Sequence, residues 1–228
     1  MNISIGQSTS LSFIEQAQKK REEQTEKLSS GLKINQAADD AAGLQISNRL
    51  TSQINGLNQL ANNSRDQINL NDVASAQLSS ITSSLQRANE LAIQSGSPLT
   101  DSSAIQGEFD QISGEINAIA EQALGDASFI SGLDASDPAA SLAAIETALA
   151  SVGEQASGLG AQSNGLSSQI STYEVTSTNS SAARSRIRDT DYASASGEQQ
   201  KNDILLQAAL ITKNTEEERK GLLFNLLV

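Results

Sequence analysis

Histidine, cysteine and tryptophan are missing from this 228-residue chain, and phenylalanine (4), tyrosine (2) and proline (2) are scarce. Without His or Cys, Ser-His and Cys-His nucleophile pairs cannot be built, nor can zinc sites that rest on those ligands. Without Cys there is no disulfide framework and no thiol redox chemistry, so cysteine usage does not point to a compartment. The few aromatic rings offer no platform for stacking bases or ring cofactors. No stretch approaches the roughly 18 consecutive apolar residues of a membrane span. Positive charge is also short, with 15 Lys and Arg against 27 Asp and Glu. The net charge of −12 argues against nucleic acid and anionic membrane as partners. Lys19, Lys20 and Arg21 follow a short, polar-interrupted stretch with no apolar h-region. The expectation is a chain that stays in the cytoplasm or leaves by a route that reads no cleavable signal.

The charge is unevenly placed. Residues 1–50 hold six basic and six acidic side chains, and 184–228 hold seven of each. Between Arg87 and Arg184 there is no Lys or Arg, while 101–183 holds eleven acids. Balanced ends flank an acidic middle. Acidic middles would keep subunits soluble while neutral ends pack together; a solvated helix surface that drifted acidic explains the same distribution equally well.

Helical spacing of apolar residues dominates the pattern. Leu142, Ile145, Leu149, Val152, Ala156, Leu159, Ser163, Leu166, Ile170, Tyr173 and Ser177 follow at alternating steps of three and four, nine of the eleven apolar, a narrow coiled-coil seam. Asp137 and Pro138 stand where an N-cap and a first helical residue belong. A second seam runs Ile105, Phe109, Ile112, Ile116, Ile119, Ala123. A third runs Ala74, Leu78, Ile81, Leu85, Ala88, Ala92, is extended backwards through Leu50, Ile54, Leu57, Ala61, Ser64 and Ile68, and stops at Gly96-Ser97-Pro98. The fold class expected is all-α, a long antiparallel helical or coiled-coil bundle. At most a short irregular or β-hairpin segment falls near 127–133, where Phe129 and Ile130 lie between Gly125 and Gly132.

The two ends read as helices with too little apolar face to fold alone. In 11–32 the heptad positions Leu11, Ile14, Leu28 and Leu32 are interrupted by Gln18, Arg21 and Thr25. In 204–222 Ile204, Ala208, Ile211 and Leu222 are interrupted by Thr215 and Glu218, and Leu222, Leu223, Phe224, Leu226 and Leu227 close the chain. These residues are the candidates for an assembly surface. Frayed termini are the plainer alternative, but a frayed tail seldom ends in five large apolar residues.

Nothing else reads as a chemical site. Asp39-Asp40, Asp189/Asp191 and Glu216-Glu217-Glu218 are the dense carboxylate groups. The first lies between Gly31 and Gly43, where helix capping is expected, and the last abuts Arg219 and Lys220 on a solvated face. The Asn62-Asn63-Ser64 and Asn179-Ser180-Ser181 sequons are chance matches in a chain with 35 serines. Gly158, Gly160 and Gly165 form no phosphate loop, since no Lys follows them; close helix–helix contacts are expected there. No catalytic residue, cofactor or metal is expected.

At this point the residues resemble a family. Leu28 to Leu44, reading LSSGLKINQAADDAAGL, resembles the N-terminal signature of bacterial flagellins, and ISNRL (46–50) and LQRANELAIQS (85–95) continue the match. Leu159-Gly160-Ala161 with Asn164 resembles the family's C-terminal core helix, and ARSRIRDTDY (183–192) with ILLQA (204–208) resembles the segment leading into its terminal helix. The resemblance implies a structural subunit that polymerises into the flagellar filament for motility. It implies export unfolded through the flagellar type III channel without a cleaved signal, and an extracellular location. The terminal helices, 1–38 with 190–228, would form the inner tube and order on assembly; 39–189 would form a helical outer-tube domain. The variable outer domains normally inserted between its second and third helices are replaced by a short connection, 124–138, as in a core-only form. Implied partners are further copies of the chain, hook-associated junction and cap proteins, an export chaperone at the C-terminal segment, and the innate Toll-like flagellin receptor. For that receptor Arg87, Leu91 and Glu108 match positions expected to matter.

Departures from the family pattern bear on these expectations. Gln155 and Gly165 stand where arginines are usual, so contacts made by those cations are not carried over. Asn89 replaces a common second Arg, which should weaken receptor binding. The short connection near 127–132 does not carry over the family's polymorphic filament switching. The charged run Thr215–Lys220 is expected to pair with the charged stretch Lys19–Lys27. Two rival readings are the hook–filament junction protein of related fold and a secreted helical receptor-binding module.

Overall fold

The computed structural model describes residues 3–225, with side chains described from 12 to 219. Five helices follow in order: α1 (Ile3–Ser30), α2 (Ala37–Ser95), α3 (Ser102–Leu124), α4 (Pro138–Arg188) and α5 (Tyr192–Asn225). Among the described residues there is no strand, only an isolated antiparallel bridge between Leu32 and Asp189. The 125–137 connection is irregular, so of the two expectations for that stretch the irregular one holds.

Carboxylates and glycines set the helix boundaries. Asp101 caps α3 by accepting the Ser103 N–H at 3.0 Å, and Gly125, at φ 74°, ends it with its N–H on the Ala120 and Glu121 carbonyls. Asp137 accepts the Ala140 N–H at 3.0 Å ahead of Pro138, as the sequence predicts. Asp191 accepts the Ala193 N–H at 3.1 Å at the start of α5. Within α2, Asp40 takes an extended conformation (φ −165°, ψ 99°), so the regular helix begins only after it.

By internal contacts the chain divides into two compact units, Met1–Asn55 with Ser177–Val228 and Gly56–Thr176. Both α2 and α4 contribute residues to each. The core of the Gly56–Thr176 unit follows the predicted seams. Leu78, Ile81 and Leu85 of α2, Phe109 and Ile116 of α3 and Ile145 of α4 are fully buried, with Ile105, Ile112 and Val152 beside them. Ile130, Leu133 and Ala135 of the connection close over this core. Three side chains hold the connection much as a neighbouring strand would. The Asn117 amide donates to the Ile130 carbonyl (3.0 Å) and accepts its N–H (2.9 Å). The Gln106 amide bridges the Leu133 carbonyl (3.0 Å) and the Ala135 N–H (2.9 Å). The Ser141 hydroxyl donates to the Asp134 carbonyl (2.9 Å) and accepts its N–H (2.8 Å). A segment without secondary structure thereby satisfies its backbone.

Two expectations about α4 change. Its deeply buried line is Ser141, Ile145, Ala148 and Val152, with Leu142 and Leu149 half-buried at the edge. Beyond Val152 the seam positions Leu159, Leu166 and Ile170 are only half-buried and Ala156 is exposed. The cause is the end of α3 at Leu124: a helix flanked by two neighbours buries a broad face, whereas one neighbour covers only a strip. The second change is a correction. Gly158, Gly160 and Gly165 are not close contacts within the chain, because a Cβ at any of them would meet nothing within 4 Å. They fall between the seam positions, on the exposed side of α4.

Candidate functional site

The paired acids serve the backbone. Asp39 accepts the Asn35 and Gln36 N–H groups at 2.9 and 3.0 Å, and these bonds, Gln36 foremost, hold its carboxyl below the ordinary value. Asp40 accepts the Gly43 N–H at 2.9 Å as the cap of the regular part of α2. Asp189 accepts the Ser185 hydroxyl, and Glu217 lies 3.8 Å from Lys213 one turn away. Among the described residues no group of three or more potential ligands converges as a metal site.

The terminal helices are antiparallel partners. Ile14 and Ala17 of α1 meet Leu206 and Ala209 of α5 in a small apolar cluster. Arg21 pairs with Asp203 at 2.9 Å, and Gln199 donates to the Thr25 hydroxyl at 3.3 Å. At the open end of the pair Gly31 turns the chain at φ 70°; Lys33 donates to the Arg188 carbonyl (2.6 Å) and Thr190 to the Gly31 carbonyl (3.0 Å). Leu28 and Leu32 are half-buried in this region.

This register overturns the expected pairing of Thr215–Lys220 with Lys19–Lys27. Antiparallel packing sets 199–203 opposite 21–25, so the acidic run lies more than a dozen residues further along α5. It also reassigns the faces of α5. The side toward α1 carries Ala195, Gln199, Asn202, Leu206, Ala209 and Lys213, all buried or half-buried. Ile204, Ala208 and Ile211 lie about half a helical turn away and point outward, Ile204 62% and Ile211 65% exposed. Leu205 and Leu210 flank them, also exposed. The result is an apolar stripe with no partner among the described residues, on a helix pair whose own apolar cluster is small. Leu11, Leu222, Leu223, Phe224, Leu226 and Leu227 lie outside the residues whose side chains are described.

The resemblance-derived trio in the other unit is only partly brought together. Arg87 and Glu108, on α2 and α3, form an exposed ion pair at 3.5 Å. Leu91 is buried in the helix core, one turn beyond Ala88 on the same face of α2. Spacing along the Leu85–Ala88–Ala92 seam already places it there.

Comparison with known proteins accounts for the arrangement. Residues 1–132 match the model of the bacterial flagellin N-terminal helical region, and residues 142–214 match that of the C-terminal helical region. A flagellin of Clostridium tyrobutyricum is 48% identical over 126 residues, 51% of this chain and 33% of the relative. Flagellin B of Vibrio cholerae is 42% identical over 124 residues, 53% of this chain and 33% of the relative. The flagellar filament 41 kDa core protein of Borreliella burgdorferi is 44% identical over 101 residues, 43% of this chain and 30% of the relative. The chain thus spans about a third of the length of the curated relatives it matches. With both helical regions matched, in order and over most of its length, the chain belongs to the bacterial flagellin family.

Proposed function

We propose that this chain is a structural, non-catalytic subunit that polymerises into an extracellular flagellar filament used for motility. The observation that carries the reading is the outward stripe Ile204, Ala208 and Ile211 on a helix pair with a small core. Such a pair gains most of its stability when further copies cover the stripe, at roughly 25 cal/mol per Å² of apolar surface removed from water. Ordering of the terminal helices on assembly would be driven by that gain. Heterologous contacts that do not close generate a helical polymer from one kind of subunit. The name of the Borreliella relative, a flagellar filament core protein, points the same way.

In this reading 1–38 and 190–228 line the inner tube and 39–189 form the outer tube. Leu11, Leu28, Leu32, Leu222, Leu223, Phe224, Leu226 and Leu227 join the stripe in subunit contacts. Export without a cleaved signal, an export chaperone at the C-terminal segment, and junction and cap proteins at the filament ends complete the scheme. For the Toll-like flagellin receptor, Arg87 and Glu108 are the accessible contacts and Leu91 supports them from beneath.

Seeded assembly tests the proposal. Purified protein incubated with short filament seeds and precipitating salt should sediment as long uniform filaments under negative-stain electron microscopy. Its termini should be cut by protease in the monomer and protected in the filament. Persistent monomer with protected termini would overturn the reading in favour of a soluble receptor-binding module, and growth limited to a few copies would favour a junction protein.

A further inference from the structure

The Gly56–Thr176 unit carries the whole negative excess of the chain. It holds fourteen acids against Arg65 and Arg87, while the remaining residues balance. Copies that approach each other through this unit repel unless the meeting surfaces are free of charge. Two surfaces lined by uncharged residues stand out, one presenting an exposed leucine and the other exposed Leu70 and Val73 among amide side chains.

The first is the turn between α2 and α3. Residues 91–100 carry no charge, and Leu99 is 95% exposed. The turn is nevertheless fixed. Ser97 donates to the Gln94 carbonyl (3.0 Å), and the Thr100 hydroxyl reaches the carbonyls of Gln94 (3.2 Å) and Ser97 (2.8 Å). The backbone that carries Leu99 is therefore held in place, which lowers the ordering cost of covering it to that of the side chain.

The second is a groove where α3 ends and the packing steps from three helices to two. Leu70, Val73, Ala74, Ala123 and Leu159 line it, with amide side chains around them and no charged residue. Leu70 and Val73 are more than half exposed, and the Gln77–Gln122 hydrogen bond at 3.4 Å bridges α2 and α3 beside it. Knob and groove lie apart on the same helix, since Val73 to Ser95 is a rise of about 33 Å. One copy cannot fill its own groove.

Resting on the filament reading above, we propose that the Leu99 tip of one copy docks in the Leu70/Val73 groove of a second copy of this chain. The contact is heterologous, so it propagates instead of closing. The residues that would meet are themselves uncharged, with Asp72 beside the groove and Asp101 beside the tip.

The absence of native cysteine makes the test direct. Leu99→Cys and Val73→Cys, combined in the full chain, would be assembled on seeds and treated with a short bismaleimide. A ladder of cross-linked oligomers from sedimented filaments, absent from dilute monomer and from either single variant, is the expected result. Sedimenting filaments whose two thiols label freely as monomer yet give no ladder would overturn the contact and leave the filament reading standing. Cross-links in the Leu99→Cys variant alone would also overturn it, since they would mean a symmetric tip-to-tip contact. If wild-type protein does not sediment, the filament reading falls and the contact with it. Leu99→Glu supplies a second readout. It should raise the critical concentration for assembly at least tenfold without moving thermal unfolding, because Leu99 touches little in its own chain. An unchanged critical concentration would overturn the proposal.

Discussion

Asp40 and Gly43 are fitted to each other so closely that position 43 has no room for a side chain. The Asp40 carboxylate accepts the Gly43 N–H at 2.9 Å, and a Cβ at 43 would lie 2.4 Å from Asp40 Oδ2 and 2.7 Å from Ile34 Cδ1. In an open helix, replacing Gly by Ala stabilises by about 1 kcal/mol. Here the substitution must displace either the capping carboxylate or a buried Ile34, and loss of a cap costs about 1–2 kcal/mol. Gly43→Ala should therefore lower the thermal midpoint, while Gly114→Ala, where a Cβ would meet nothing within 4 Å, should raise it. Melting followed by circular dichroism would decide; stabilisation by both would show that the Asp40 cap contributes little.

Asn117 is the most demanding part of the clasp on the 125–137 connection, because one amide serves both the N–H and the carbonyl of Ile130. Asn117→Ala removes both bonds and leaves two partly buried backbone groups unpaired, at about 1–3 kcal/mol each if water does not reach them. The expected outcome is destabilisation with faster hydrogen exchange at the Ile130 amide, while the Gln106-bound Ala135 amide changes less. Uniform loss of protection across 130–135 would mean that the three side chains hold the connection as one cooperative unit.

Much of this architecture was legible as periodicity. The seam from Leu50 through Ala92 keeps one spacing along α2, and Ile105, Phe109, Ile112 and Ile116 all reach the core, because the apolar residues of each seam fall on one helix face. In α5 the run ILLQAALI (204–211) is apolar on two faces, so spacing favours neither. The side that meets α1 is settled by polar partners distant in sequence, Arg21 with Asp203 and Thr25 with Gln199. The glycines of α4 misled for a similar reason: composition shows where backbones could approach closely, but none of the described residues lies against that side. The Arg87–Glu108 pair joins two helices, and only the resemblance placed those residues together beforehand.

Acid should weaken the start of α3 in a way that one residue reports. Asp101 is held below the ordinary carboxylate value of 3.8, first by the Ser103 hydroxyl and then by the Ser103 and Ala104 N–H groups. A depressed folded-state value means stabilisation that is fully present above the unfolded value and is lost as pH falls through the folded one. Asp101→Asn keeps a capping side chain but does not titrate. The variant should melt close to wild type at pH 7 and lose less stability than wild type as pH falls below the ordinary carboxylate value of 3.8. Parallel acid limbs for the two proteins would count against Asp101 as a contributor.

Salt should promote assembly. The excess acids all lie in the Gly56–Thr176 unit, so neighbouring units repel, and at physiological ionic strength screening acts over about 8 Å. Raising sodium chloride from low to moderate concentration should lower the critical concentration measured by sedimentation. The opposite trend would mean that attractive ion pairs between copies outweigh the like-charge term.

The two faces of α5 can be separated by one pair of substitutions. Leu206 is buried against Ile14 and Ala17, whereas Ile211 points outward and is 65% exposed. Leu206→Glu buries a charge in the helix pair and should reduce helicity in the subunit itself, since an uncompensated buried charge is not tolerated. Ile211→Glu places its charge in water and should leave the subunit's far-UV spectrum and melting unchanged. In a filament the same charge would be trapped on the covered stripe, so Ile211→Glu should abolish seeded growth while still folding. Circular dichroism on monomer and sedimentation after seeding give the two readouts independently. Normal filaments from Ile211→Glu would move the subunit contact off this stripe, and the exposed apolar face of α5 would then need another occupant.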